Sequence, residues 1–189
     1  MIDLIPRSRL RDLVAVSSFA LLTAGAAQIS IPLGFTPVPI TGQTFAVLLA
    51  GGVLGSKLGA ASQMFYVILG ALGLPFYADG AGGWEVATGS TAGYLFGFIV
   101  AAFLVGLMAE RGQDRNLVTS LPAFIAGSII IYTFGALWLA HKLDIPFTAG
   151  ATEASAVAYG VTPFIVGDIL KAALAGVLLP GVWRLSSDT

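Results

Sequence analysis

Between Asp12 and Lys57 the chain carries no charged side chain. A transmembrane helix needs about 20 mostly apolar residues, so this run is too long for one crossing. Its middle, "IPLGFTPVPITG" over residues 31–42, supplies the break with three prolines and two glycines. Proline removes a backbone donor and biases its predecessor away from the helical region. The segment therefore reads as a loop between two apolar helices. Charged residues make up only 10% of the sequence, against about 25% in a soluble domain of ordinary composition. So few charges cannot cover a water-exposed surface of this size, and the solvent for most of the surface is lipid.

The remaining apolar runs predict an all-α membrane protein, a bundle of six transmembrane helices in one integral membrane domain over 1–189. The expected spans are 11–30, 42–56, 58–73, 91–109, 117–140 and 161–183. Spans two and three are short, which suits tilted helices or helices surrounded by others. Arg7, Arg9, Arg11, Lys57, Arg111, Arg115 and Arg184 all fall on one side of such a bundle. Lys142 is on the other side and Lys171 lies inside a span. Basic residues favour the cytoplasmic side, which puts both termini there and the chain in the cell membrane. The apolar run after "MIDLIPRSRLRDL" is longer than a signal peptide's core, and it reads as a retained first span.

The absence of cysteine removes disulfides, thiol nucleophiles and cysteine metal sites. A net charge of −1 without a basic tract argues against nucleic acid. The sole histidine, His141, sits beside Lys142 at the end of span five, so an intramembrane enzyme lacks an inward-facing Ser–His pair and metalloprotease chemistry lacks its ligands. No G-x-x-x-x-G-K-[ST] loop occurs, which excludes ATP binding by that route. No cofactor is expected. The reading that remains is a solute-binding membrane protein, acting alone or as the binding subunit of a transporter.

Span six carries the strongest local signal. In "VTPFIVGDILKAALAGVLLPGVW" an acid and a base, Asp168 and Lys171, interrupt an apolar helix three residues apart. On translocon scales each costs about 2.5–3.5 kcal/mol at mid-helix. The spacing puts both on one face, where each partly neutralises the other. A structural ion pair and a polar ligand site are the two readings. In a ligand site Asp168 would accept N–H bonds and Lys171 would donate to a carbonyl or carboxylate. Thr162 is a plausible N-cap and Pro163 fits the first turn.

The uncharged Pro-rich loop 31–41 reads either as a lid over a cavity or as a tight connector. In "LPFYADGAGGWEVATGST" the aromatics Phe76, Tyr77 and Trp84 fit interfacial anchors or pocket walls equally well. Ser17, Ala20, Ala24 and Ala27 form a small-residue stripe on span one, and Gly93 and Gly97 a G-x-x-x-G in span four. Such faces let helices approach closely in lipid.

Four segments carry a family resemblance: "PVPITGQTFAVLLAGGVLG" (37–55), "YVILGALGLP" (66–75), "TGSTAGYLFGF" (88–98) and "TPFIVGDILK" (162–171). They resemble the BioY family, substrate-binding S components of energy-coupling factor biotin transporters, and they run in order through most of the chain. "LPFYADG" departs from the more usual "LPVF", and Val166 stands where proline is common. The resemblance implies a six-helix bundle binding biotin near the outer surface, with Asp168 and Lys171 as ligand contacts. It implies a membrane-embedded coupling protein and two cytoplasmic ATPase subunits as partners, with ATP bound only by the latter. Ala20 and Ala24 match the alanine surface that meets the coupling protein. Some BioY-like proteins are thought to import biotin alone, which leaves a solitary carrier as the alternative. Biotin's fused rings suit Phe35, Trp84 and Tyr94 as walls, and Thr41 and Gln43 as further polar contacts. Its carboxylate or its ureido group would take Lys171, and both poses stand open.

Overall fold

In the computed structural model, residues 8–113, 117–148, 154–165, 167–168 and 171 are described. The first helix, α1 (Arg9–Ala27), starts at Ser8, whose hydroxyl accepts the Arg11 N–H at 3.1 Å. This is the N-cap bond that satisfies an orphan donor of a first turn. After α1 the chain forms a two-residue antiparallel ladder, β1 (Ser30–Ile31) with β2 (Ile40–Thr41), pairing Ser30 with Thr41 and Ile31 with Ile40. The ladder pins the two ends of the Pro-rich loop side by side.

Helix α2 (Gln43–Ala71) turns back on itself at Gly55, which has φ 79° and ψ −178°. That conformation is open to glycine and barred to other residues. A Cβ on Gly59 would lie 3.0 Å from the Cα of Gly51, whereas residues eight apart in an unbroken helix are separated by about 12 Å. Two antiparallel legs result, residues 43–54 and 56–71. The segments expected as spans 42–56 and 58–73 both fall within this one helix, whose reversal is at Gly55.

The one-turn α3 (Trp84–Ala87) lies in the second connecting loop, ahead of α4 (Ala92–Met108) and α5 (Leu117–Leu143). Helix α4 packs between the α2 hairpin and α5. Its glycines permit this: a Cβ on Gly97 would sit 3.0 Å from Ile131 Cα, and one on Gly93 would collide with the Phe134 carbonyl. The G-x-x-x-G face is thus an internal contact with α5. At the other end of α4, Gly106 abuts the backbone of the Gly55–Ser56 turn. Just beyond it, Glu110 Oε1 accepts both the Ser56 N–H and the Ser56 hydroxyl at 2.8 Å. Glu110 therefore caps the second leg of α2 from a neighbouring helix.

Past α5 a short α6 (Ala156–Gly160) is capped by Ser155 and leads into a 3-10 turn, Thr162–Phe164. Here Thr162 differs from the N-cap expected of it. Its hydroxyl donates back to the Val157 carbonyl at 3.2 Å, because the chain arrives from α6 and not from an extended segment. Ile165, Gly167, Asp168 and Lys171 are helical. The rest of span six, and the placement of the termini, lie outside the described residues.

Among the described residues four helices are long and apolar enough to cross a membrane: Arg9–Ala27, Gln43–Ala71, Ala92–Gly112 and Ser120–Leu143. Large apolar side chains such as Leu13, Leu21, Phe96, Ile129 and Leu137 are exposed along them, as a lipid-facing surface requires. The chain is an all-α, multi-span membrane protein.

Candidate functional site

Loop geometry sets the floor of the site. The chain bends at Pro37 and enters β2 directly after Pro39, and Gly42 turns it into α2. Thr41, Gln43 and Thr44 are thereby gathered at the start of the first leg. Thr41 donates its hydroxyl to Gln43 Oε1 at 2.7 Å, and Gln43 Nε2 donates to the Tyr66 hydroxyl at 2.5 Å. Tyr66 belongs to the second leg, so the Gly55 turn is what brings these two groups together.

Asp168 and Lys171 face this floor. Lys171 Nζ donates to Asp168 Oδ1 at 3.0 Å, to the Thr41 carbonyl at 2.7 Å and to Thr44 Oγ1 at 3.2 Å. An ammonium has three donors, and all three have acceptors here. Asp168 in turn accepts from Thr44 Oγ1 at 3.2 Å on Oδ1 and from Tyr132 OH at 2.5 Å on Oδ2. Asp168 is buried, only 7% exposed, and Lys171 is partly buried. A buried ion pair is tolerable when its remaining donors and lone pairs are also satisfied, and this network satisfies them.

Above the floor lies a cavity of about 240 Å³. Thr41, Gln43, Thr44 and Lys171 line its polar end. Val38, Tyr94, Leu95, Phe98, Tyr132 and Phe164 also line it, and Pro37 and Asp79 are its solvent-exposed members. Small-molecule sites commonly measure roughly 300–1,000 Å³, so this one suits a compact ligand. Tyr94 is fixed by a 2.8 Å bond from its hydroxyl to the Gly160 carbonyl. Tyr77 is fixed by a 2.7 Å bond to the Val67 carbonyl, and burial pushes its phenol up to about 12. A second hollow of about 370 Å³ lies on the other side of Tyr132, between α5 and the segment around Ile165 and Asp168. Tyr132 borders both spaces and separates them.

The model of the BioY family matches residues 3–188. The chain belongs to the BioY family. The probable biotin transporter BioY of Pyrococcus horikoshii is 41% identical over 179 residues, 95% of this chain and 98% of that protein. The biotin transporter BioY of Thermotoga maritima is 40% identical over 170 residues, 89% of this chain and 94% of its own. Among solved structures, the S-component for biotin from an ECF-type ABC transporter superposes with a TM-score of 0.82. That match is at 28% identity and covers 93% of this chain and 92% of the other. The family resemblance carried by the four sequence segments therefore holds along nearly the whole chain.

Within this BioY chain the structure brings together Asp168, Lys171, Thr41, Gln43 and Tyr94. Asp168 stands behind Lys171, Thr44 and Tyr132 and does not itself line the smaller cavity. The expectation of walls from Phe35 and Trp84 needs correction. Phe35 is 57% exposed and leans on Tyr159 with ring centroids 6.4 Å apart. Trp84 opens a one-turn helix with its indole 72% exposed. Both side chains are largely exposed, and aromatics from α4, α5 and the turn after α6 line the cavity instead. Ala20 and Ala24 are also displaced from the role expected of them. They are 0% and 7% exposed and face the α2 hairpin, not open lipid. Small side chains let α1 approach that hairpin closely enough for Thr23 to bond with Gln63.

Sequence reasoning missed Thr44, Tyr66 and Tyr132. A signal existed for each: a buried tyrosine in an apolar helix needs a hydroxyl partner, and Thr44 extends the polar cluster begun by Thr41 and Gln43.

Proposed function

We propose that this chain binds biotin from the extracytoplasmic side and mediates its uptake as the substrate-binding S component of an energy-coupling factor transporter. Membership in the BioY family over nearly the full length is the observation that carries this reading. The cavity supports it chemically: a compact, largely apolar chamber with a hydrogen-bonding end fits a fused-ring ligand bearing a ureido group. Lys171, Thr41, Thr44 and Gln43 would meet that group, and Asp168 would hold Lys171 and Thr44 in place. The Pro37–Pro39 stretch would cover the bound ligand as a lid. The protein would perform no chemistry on it.

The full architecture proposed is a single membrane domain of six crossings with cytoplasmic termini. The helical reversal at Gly55 supports it, because α2 then supplies two crossings. Partners would be a membrane-embedded coupling protein and two cytoplasmic ATPase subunits, which alone would bind ATP.

Mass spectrometry of small molecules carried by the purified protein tests the ligand, with biotin expected. Purified protein that carries none and does not bind added biotin would overturn the reading. Radiolabelled uptake in cells lacking coupling ATPases separates a subunit from a solitary carrier, with no uptake expected.

A further inference from the structure

Tyr66 has no exposed surface, and the rings of Phe76 and Tyr77 pack against its own. Its hydroxyl accepts a hydrogen from Gln43 Nε2, but its own hydrogen has no acceptor within reach among the described residues. The neighbouring Tyr77 hydroxyl is bound to the Val67 carbonyl instead. A buried donor left without a partner is destabilising, because the water that served it in the unfolded chain is gone. A half-turn of the Gln43 amide removes this penalty. The oxygen and nitrogen of a carboxamide are nearly isosteric, so the contacts of 2.5 Å to Tyr66 and 2.7 Å to Thr41 survive with their sense reversed. Tyr66 then gives its hydrogen to the Gln43 carbonyl, and the Gln43 nitrogen gives one to Thr41 Oγ1.

The reversal changes what the polar end of the cavity offers. Lys171 gives its three hydrogens to Asp168, Thr44 and the Thr41 carbonyl, and Thr44 gives its own to Asp168. Thr41 no longer donates to Gln43, and its hydroxyl has no other acceptor among the described residues. We propose that Tyr66, which does not itself line the cavity, is a positioning residue: it holds the Gln43 carbonyl and thereby frees the Thr41 hydrogen for an acceptor atom of the ligand. On the biotin reading, which this role presupposes, that acceptor is the ureido carbonyl. Without the Tyr66 hydroxyl nothing fixes the sense of the amide, and Thr41 is drawn back to donating to Gln43.

The test is a double-mutant cycle on biotin binding by the full chain in detergent, using Tyr66→Phe, Thr41→Val and the two combined. Each single substitution should raise the biotin Kd about three- to tenfold, as the loss of one neutral hydrogen bond does. The double variant should bind no worse than the weaker of the singles, because both substitutions remove the same hydrogen from the ligand. Multiplied penalties would overturn the inference, since Tyr66 would then act on the fold apart from Thr41. An unchanged Kd in either single variant would overturn it too, and the Thr41→Val result stands whether or not Tyr66→Phe folds. Thr41→Ser keeps the hydroxyl and should bind within about twofold of the unmodified chain; a loss equal to that of Thr41→Val would assign the effect to the methyl group and overturn the role of the hydrogen. Each of these adverse results leaves biotin binding in place, whereas failure of the unmodified chain to bind biotin would remove the biotin reading and this inference with it.

Discussion

Tyr132 on α5 gives its phenolic hydrogen to Asp168 Oδ2 at 2.5 Å, while Lys171 and Thr44 occupy Oδ1. One carboxylate thus ties three segments together: the start of α2, the middle of α5 and the turn of helix that carries the ion pair. Removing its charge should be felt first at Lys171, whose side chain is only 19% exposed.

Asp168→Asn is expected to weaken biotin binding at least tenfold, since a buried ammonium would lose its counter-charge. Tyr132→Phe removes one bond to the carboxylate. A hydrogen bond to a charged group contributes about 1.5–3 kcal/mol, so a loss of roughly tenfold is expected. Titration in detergent measures both, and circular dichroism should report unchanged helix content. Full affinity in Asp168→Asn would remove the pair from the site.

The Gly55 turn supplies a second expectation. Any side chain on Gly106 collides with the Ser56 backbone, and overpacking costs typically 1–3 kcal/mol. Gly106→Ala should therefore lower the midpoint of thermal unfolding. Glu110→Ala should do likewise, because it leaves the Ser56 N–H without its acceptor. Melting curves matching the unmodified protein in both variants would contradict this account of the hairpin.

On α1 two substitutions part company. Ala20 has no exposed surface, so Ala20→Leu should destabilise the fold by forcing α1 away from the hairpin. A side chain on Gly25 meets nothing within 4 Å. Gly25→Trp should leave melting and biotin affinity near normal, and any loss of assembly with a coupling protein would then report a docking face there. Thermal scans and size exclusion of the reconstituted complex check the pair.

Tyr77 predicts a pH effect. Its phenol is pushed up to about 12 from 10 by burial, so below pH 10 folded and unfolded chains both keep the proton. Between pH 10 and 12 the unfolded chain releases it first, and stability falls as the pH rises through that window. Tyr77→Phe should flatten this part of the profile relative to the unmodified protein, as read by unfolding at stepped pH. Parallel profiles would count against the phenol as the titrating group.

Much of this was legible in the residues. Charge-free runs locate spans, and prolines 32, 37 and 39 mark a loop whatever packs against it. Asp168 and Lys171 announce themselves because ionic groups in an apolar helix need a reason. What local pattern does not encode is which way a side chain points once helices meet. Phe35 and Trp84 have the right chemistry for a wall but are left largely exposed. Ala20 and Ala24 form the same stripe whether they face a partner or the protein's own hairpin. Tyr66 reaches Gln43 only because Gly55 reverses the chain, a contact that spans 23 residues of sequence.

The shortness of the first leg of α2 has one further outcome. Residues 43–54 rise only about 18 Å at 1.5 Å each, against a hydrocarbon thickness of about 30 Å. The leg begins at the cavity floor and ends at the Gly55 turn. In the six-crossing topology proposed above, a guest resting on Thr44 would therefore already have descended through a good fraction of the insulating layer, and what separates it from the far compartment would be closer to half a bilayer than to a whole one.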